Sequence, residues 1–102
     1  MKFSNQGILS TSGTIVHTAP DNNMSEVQSM RFSNPSSSCT ITVQKGSTII
    51  YIVNLAAGDI MTDDDNYILE ENEELLVTSS SAGTSYVIDG ENMPNIKVVR
   101  CK

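Results

Sequence analysis

The stretch of sequence that decides the fold is residues 47–90, STIIYIVNLAAGDIMTDDDNYILEENEELLVTSSSAGTSYVIDG. Its apolar residues come in short runs, many of them β-branched or aromatic, at residues 48–53, 67–69, 75–78 and 85–88. Clusters of Gly, Asn, Asp and Ser separate these runs, which is the pattern of strands joined by turns. The stretch therefore predicts an antiparallel all-β module, and it contains no pattern that indicates a reaction.

Further strands are predicted on both sides of this stretch, at residues 14–18, 26–33, 39–44 and 96–101. The strand at 39–44 alternates cleanly, with Cys39, Ile41 and Val43 toward the core. The strand at 26–33 changes face, so we expect a bulge there. No window of eleven residues has a helical period. About eight short strands predict one antiparallel β-sandwich or jelly-roll-like domain over residues 14–102.

The run at residues 48–53 is apolar on both of its faces. Simple alternation places Ile49, Tyr51 and Val53 on one face, and Ile50 and Ile52 on the other. A strand that is apolar on both faces is expected to be covered on both sides. The second cover is either a loop or another copy of the chain. We therefore expect a homo-oligomer, with a trimer as the leading state, or attachment to a larger symmetric assembly.

Residues 1–13 are polar and are predicted to form an N-terminal arm. Phe3, Ile8 and Leu9 are their candidate anchors on a neighbouring subunit or another protein of the same assembly. An extended arm spans about 3.3–3.6 Å per residue, which is long enough to cross onto a neighbour. The alternative is that the same residues form an edge strand of their own sandwich. The sequence leaves both possibilities open.

The charge distribution excludes one class of partner. The 102 residues carry a formal net charge of −6, and nucleic-acid surfaces need clustered Lys and Arg, so no nucleic-acid partner is expected. Eight of the twelve acidic residues lie between Asp59 and Glu74, whereas all six basic residues lie outside that segment. We interpret the segment as an acidic rim of solvent-facing loops. A sharper alternative is that the acidic end faces solvent while the termini touch a partner.

Candidate catalytic and metal-binding residues are few, and no enzymatic activity or cofactor is expected. His17 is the only histidine, and no sequence pattern gives it a nucleophile. Asp63, Asp64 and Asp65 suggest a calcium loop, but the residues that follow do not fit the EF-hand pattern. We therefore expect these carboxylates to lie in solvent-facing loops without a tightly bound metal.

Cysteine use and hydropathy indicate a protein made in a reducing cytoplasm. Cys39 is in phase with its buried neighbours and is predicted to be a core residue. Cys101 is nearly terminal, and a disulfide between the two stays open because sequence does not define their geometry. The first residues do not resemble a signal peptide, and no apolar run reaches the roughly 20 residues of a membrane helix. No membrane association is expected.

The order of several short motifs resembles a family of small virion proteins of tailed bacteriophages. The resemblance begins with Thr-Ile-Val-His-Thr-Ala-Pro at residues 14–20 and the strand at 27–34 that ends in Asn34. It continues through Leu-Ala-Ala-Gly-Asp at 55–59, Tyr-Ile-Leu-Glu at 67–70, and the segments at 75–83 and 86–88. Residues 71–74, Glu-Asn-Glu-Glu, depart from the family's usual Gly-Asp turn. The resemblance implies a β-sandwich repeated by symmetry on the phage particle and transfers no catalytic residue.

Two classes of function follow. The first is a structural virion protein, foremost a capsid decoration (cement) protein in many symmetric copies beside the major capsid protein, or a small neck, tail or fibre-associated protein. The second is a module that binds a host-surface glycan, which usually requires exposed aromatic rings. The chain has only three Tyr, two Phe and no Trp, so the sequence favours the structural class.

Overall fold

The computed structural model describes residues 1–34 and 37–94, and these residues form strands and turns without a helix. The described strands are β1 (Lys2–Ile8), β2 (Thr14–Thr18), β3 (Asn23–Ser33), β4 (Cys39–Lys45), β5 (Thr48–Leu55), β6 (Ile60–Asp63), β7 (Tyr67–Leu69), β8 (Glu74–Ser79) and β9 (Ser85–Pro94). The predicted all-β class is confirmed.

Two antiparallel sheets pack against each other. One has five strands in the order β1-β9-β3-β6, with β7 also paired to β3. The other has four strands in the order β2-β8-β4-β5. The inward-facing apolar residues of both sheets form one core: Leu9, Val16, Ala19, Val27, Met30, Phe32, Cys39, Ile41, Val43, Leu55, Leu69, Leu75, Val77 and Ile88. The arrangement is a small β-sandwich, as predicted.

Several strand boundaries differ from those predicted. Strand β6 was not predicted, because its four residues follow a Gly-Asp pair and precede an acidic run. Strand β9 continues to Pro94, well beyond the apolar run at residues 85–88 that predicted it. Strand β3 carries the expected bulge, between Val27 and Ser29. The strand predicted at residues 96–101, including Cys101, lies outside the described residues.

Residues 70–74 form the turn that connects β7 with β8. Asn72 has a φ of 64°, in the left-handed region that Asn tolerates better than most residues. The Glu73 backbone N–H donates to the Glu70 carbonyl at 2.9 Å, which closes the turn. Asn72 thus takes the conformation that glycine supplies in many turns, and the chain reverses between β7 and β8.

The prediction of a separate N-terminal arm at residues 1–13 does not match the structure. Residues 2–8 form β1, which pairs with β9 from Lys2 opposite Glu91 to Ile8 opposite Ser85. Leu9 is in the core, with 2% of its surface exposed. The alternative considered from the sequence, an edge strand of the chain's own sandwich, is the one that the structure shows.

Two aromatic-glycine pairs hold this polar strand in place. Phe3 lies opposite Gly90, and Gly7 lies opposite Tyr86, so each ring can cover the glycine on the neighbouring strand. An aromatic side chain over a cross-strand glycine is a known way to strengthen a sheet edge. These rings supply apolar contacts that a count of aliphatic residues in β1 does not reveal.

Candidate interface on the four-stranded sheet

The outer side of the four-stranded sheet carries aliphatic and threonine side chains. The pairing of strands aligns Ile15 with Leu76, Leu76 with Gln44, and Gln44 with Ile49, so these four residues form one row across the sheet. A second row contains Thr78, Thr42 and Ile52. We call these seven residues the apolar face.

Three isoleucines of the apolar face are more than half exposed. The exposed fractions are 51% for Ile15, 54% for Ile49 and 57% for Ile52. None of the seven residues is charged. The loop before β2 covers one part of the face, since a Cβ at Gly13 would lie 3.3 Å from the Leu76 side chain. The β4–β5 side of the face is thus its more open part.

The outer side of the five-stranded sheet mixes charged side chains with exposed isoleucines. Its charged residues are Lys2, Glu26, Arg31, Asp89 and Glu91. Ile8, Ile60 and Ile68 lie on the same side. The two outer faces of the sandwich therefore differ in charge, and the one whose central rows are uncharged is the candidate interface.

A bulge in β5 changes which isoleucines reach this face. The register steps from Val43 opposite Tyr51 to Gln44 opposite Ile49, which leaves Ile50 as the extra residue. Ile50 packs against the core, as do Tyr51 and Val53. The assignment of Ile50 and Ile52 to one face, opposite Ile49, is therefore wrong: Ile49 and Ile52 point outward, and Ile50 points inward.

The five residues predicted as interface anchors are thus dispersed. Leu9 is a core residue, and Phe3 is partly buried against the core. Ile8 is exposed, but it lies in β1 of the other sheet. Ile52 is the only one of the five on the apolar face. Sequence reasoning missed Ile15, Ile49 and Leu76, because bulges in β2 and β5 break the alternation that would have identified Ile15 and Ile49.

Strand β5 is also an edge strand with unusual features. Within the described residues it pairs on one side only, with β4. It has eight residues and no charge or proline, and its bulge at Ile50 leaves residues 51–55 in regular pairing. The other sheet edges are shorter or polar: β2 has five residues and a bulge, β6 and β7 have four and three residues, and β1 begins with Lys2. Proteins usually protect long edges with charge, proline or bulges.

A buried polar network surrounds His17 on the inner side of the sandwich. Asn5 Nδ2 donates to the Val16 carbonyl at 2.9 Å and lies 3.1 Å from His17 Nδ1. Because the Val16 carbonyl oxygen can only accept hydrogen bonds, the Asn5 side chain must point its NH2 group toward it, and the same NH2 group faces His17 Nδ1. His17 Nδ1 is therefore an acceptor, and Nε2 carries the proton. The Phe3 ring stacks on the imidazole at 3.7 Å.

The direction of these hydrogen bonds does not activate a nucleophile. His17 Nε2 donates to Ser25 Oγ at 2.8 Å, and Ser25 donates onward to Asn92 Oδ1 at 2.5 Å. A general base would have to accept the Ser25 proton, but here it is the donor. Ser25 is also fully buried.

Desolvation lowers the pKa of His17, and a hydrogen bond to Asn92 raises it by a smaller amount. The network joins strands of both sheets.

The acidic segment is less uniform than expected. Asp59, Asp64 and Asp65 are exposed, as predicted, but Asp63 is buried at the end of β6, so its prediction as a solvent-facing residue is wrong. Its carboxylate accepts hydrogen bonds from the Tyr67 hydroxyl at 2.8 Å and the Asp65 backbone N–H at 2.9 Å.

These carboxylates perturb the neighbouring tyrosine and do not form a metal cluster. Desolvation, with the hydrogen bond to Asp63 and the charges of Asp63 and Asp65, raises the pKa of Tyr67. No group of three or more His, Cys, Asp or Glu side chains in residues 1–34 and 37–94 is arranged to hold a metal ion. The part of the chain that the structure describes has no helix that could cross a membrane.

Comparison with known protein families, with curated proteins and with solved structures found no match to this chain.

Proposed function

We propose that this protein is a structural component of a bacteriophage virion, made in the host cytoplasm, and foremost a capsid decoration protein present in many symmetric copies. The observation that carries the proposal is the apolar face. A chain with a net charge of −6 leaves the two central rows of one sheet surface without charge and exposes three isoleucines on them. Exposed apolar patches on small proteins mark surfaces that associate with other proteins.

The energetic argument concerns what covers this face. Burying an isoleucine side chain fully contributes about 1.5–3 kcal/mol relative to leaving it exposed, and these isoleucines are about half exposed. Their further burial in an assembly would therefore contribute roughly half of that amount for each side chain. A subunit repeated by symmetry multiplies such contacts over the particle, which suits a decoration protein.

Glycan binding has less support from the side chains. All five aromatic residues lie in the described part of the chain, and each of them is at least partly buried. Phe32 is buried, while Phe3, Tyr51, Tyr67 and Tyr86 pack against the core. A sugar ring would find no open aromatic surface on which to stack. A neck, tail or fibre-associated role would use the same apolar face and is the alternative within the structural class.

Quantitative mass spectrometry of particles purified from the virus that encodes the chain tests this proposal. A decoration protein is expected in a fixed, near-stoichiometric ratio to the major capsid protein, whereas a neck or tail protein would be present in few copies. The Ile52→Asp variant should fail to enter particles. Ile60→Asp is the matched control, because Ile60 is 61% exposed but lies on β6 of the other sheet. Absence of the wild-type chain from particles would overturn the proposal.

A further inference from the structure

We propose that β5 pairs antiparallel with β5 of a second copy about a two-fold axis near Ile52, so that two four-stranded sheets join into one continuous eight-stranded sheet. The inference rests on the proposed function only in taking the apolar face as an assembly surface. It adds the partner, the strand and the symmetry of the contact.

The first argument is the backbone. A strand at the edge of a sheet has N–H and C=O groups pointing outward, ready to pair with another strand. In β5 the segment from Tyr51 to Leu55 pairs with β4 in an unbroken register, since the bulge lies at Ile50. Five regular residues thus present a straight edge, and they lie beside the most open part of the apolar face.

The second argument identifies the partner as a second copy. Each copy carries a net charge of −6, so most of its surface repels another copy. Strand β5 is uncharged over its whole length, and its neighbours on the apolar face are also uncharged. It is a place where two copies can meet without facing like charges. A basic partner, by contrast, would be selected by the acidic loops and not by this strand.

The third argument places the axis. In an antiparallel pair of identical strands, the residue on the two-fold axis faces its own copy. Placing the axis near Ile52 brings together the two side chains that are each 57% exposed. Directly opposed residues in such a pair have Cα atoms about 4.5–5.5 Å apart. The apolar surface left in water by one copy is then partly covered by the same residue of the other.

The expected strength of this dimer is modest. Standard interfaces bury about 800 Å² on each partner, and a contact through one strand and its flanking side chains is smaller. We therefore expect a dimer that forms at high protein concentration and dissociates on dilution. Because each copy is acidic and the contact is not, salt should tighten it: raising ionic strength from about 0.01 M to about 1 M shortens the Debye length from about 30 Å to about 3 Å.

Three measurements on the full chain test the inference. Sedimentation should show a monomer–dimer equilibrium, weakened at least tenfold by Ile52→Asp and unchanged by Ile60→Asp. Hydrogen exchange followed by NMR should show β5 amides that become protected only as the concentration rises. In a Cys101→Ser background, Ile52→Cys should form a disulfide-linked dimer under mild oxidation, since the opposed Cα spacing suits a disulfide. Ile60→Cys should not form one.

Each alternative outcome contradicts the inference in a distinct way. A monomer at all concentrations, or a trimer, would rule out the two-fold contact. A dimer without protection of β5 amides would mean that the faces stack and the edges do not pair. Protection of all β5 amides independent of concentration would mean that β5 has a second neighbour within its own chain. None of these results depends on whether the protein is found in particles, so the proposed function is tested separately.

Discussion

The substitution Gly90→Ala is expected to destabilise the sandwich more than any other single methyl group added to the β1–β9 pair. Gly90 is buried in β9, between Phe3 of β1 and Val27 of β3. A Cβ built on Gly90 would collide with the Glu26 backbone carbonyl oxygen, and it would lie 2.6 Å from the nearest Phe3 ring atom. The ring can rotate or shift, but the carbonyl belongs to a paired strand and has little room to move.

Overpacking of a core usually costs about 1–3 kcal/mol. Because the Gly90 clash involves backbone, we expect about 2–3 kcal/mol for Gly90→Ala. For a domain of about 100 residues, 1 kcal/mol corresponds to a shift of about 4–8 °C in Tm, so the melting temperature should fall by roughly 10 °C or more. Denaturant unfolding followed by circular dichroism gives the free energy, and thermal melting gives the shift.

Gly7→Ala is the matched control, because it adds the same methyl group to the same strand pair. Its Cβ would lie 3.1 Å from the Tyr86 hydroxyl oxygen and 3.2–3.3 Å from two ring atoms, and it would meet no closer backbone atom. The ring can yield by a few tenths of an ångström, so the cost should be under about 1 kcal/mol. If Gly90→Ala is as stable as the wild type, or no less stable than Gly7→Ala, the clash with the Glu26 carbonyl oxygen does not cause the expected loss of stability.

The other predictions concern pH, hydrogen bonding and metals. Burial depresses the pKa of His17 below 6.5, so the neutral side chain contributes fully to stability above that pH, and this contribution is lost as the pH falls toward the folded-state pKa. The fall in Tm on acidification should therefore be smaller in His17→Gln than in the wild type. Identical curves of Tm against pH for the two proteins would contradict this. Tyr67→Phe removes a hydrogen-bond donor from the buried Asp63 carboxylate and should cost about 1.5–3 kcal/mol. Tyr51→Phe should cost less, because the Tyr51 hydroxyl contacts a methionine sulfur at 3.9 Å. Equal losses of stability in denaturant titrations would contradict the importance of the hydrogen bond to Asp63. Millimolar calcium should leave Tm unchanged, because we expect no tight calcium site. A ligand at 100 times its Kd would add about 2.7 kcal/mol of stability, so a clear rise in Tm would reveal a metal site.

The sequence was sufficient for the fold class because strand patterning is a local property. In β4 the alternation of Cys39, Ile41 and Val43 with polar residues predicted their burial, which the structure confirms. Strand β1 was only the alternative to an arm in the sequence analysis, because it has few aliphatic residues. The sequence feature that identifies β1 is the spacing of Phe3 and Gly7, which equals that of Tyr86 and Gly90 in β9. In the antiparallel pair each aromatic residue lies opposite a glycine, and this can be recognised only when the register of the two strands is known.

The candidate interface was predicted only in part, and the reason is the bulge. A strand has a side-chain period of two, so one extra residue shifts every later residue to the other face unless a bulge places two successive residues on the same face. The bulge at Ile50 does this, because Ile50 and Tyr51 both pack against the core. The apparent second apolar face of β5 was therefore a mixture of one inward and one outward isoleucine, Ile50 and Ile52.

The contrast between the two outer faces also revises the expected orientation of the subunit in an assembly. The sequence suggested that the termini touch a partner while the acidic end faces solvent. The structure places the N-terminal strand in the five-stranded sheet, where Lys2 and Arg31 share an outer face with Glu26, Asp89 and Glu91. Desolvating such a mixed surface costs free energy unless each charge finds a partner, whereas the apolar face holds no charge, and only Gln44, Thr42 and Thr78 need hydrogen-bond partners when it is covered. An assembly built through the four-stranded sheet thus leaves the N-terminal strand on the solvent side, and tags attached before Met1 should be tolerated by particles better than charges introduced at Ile52.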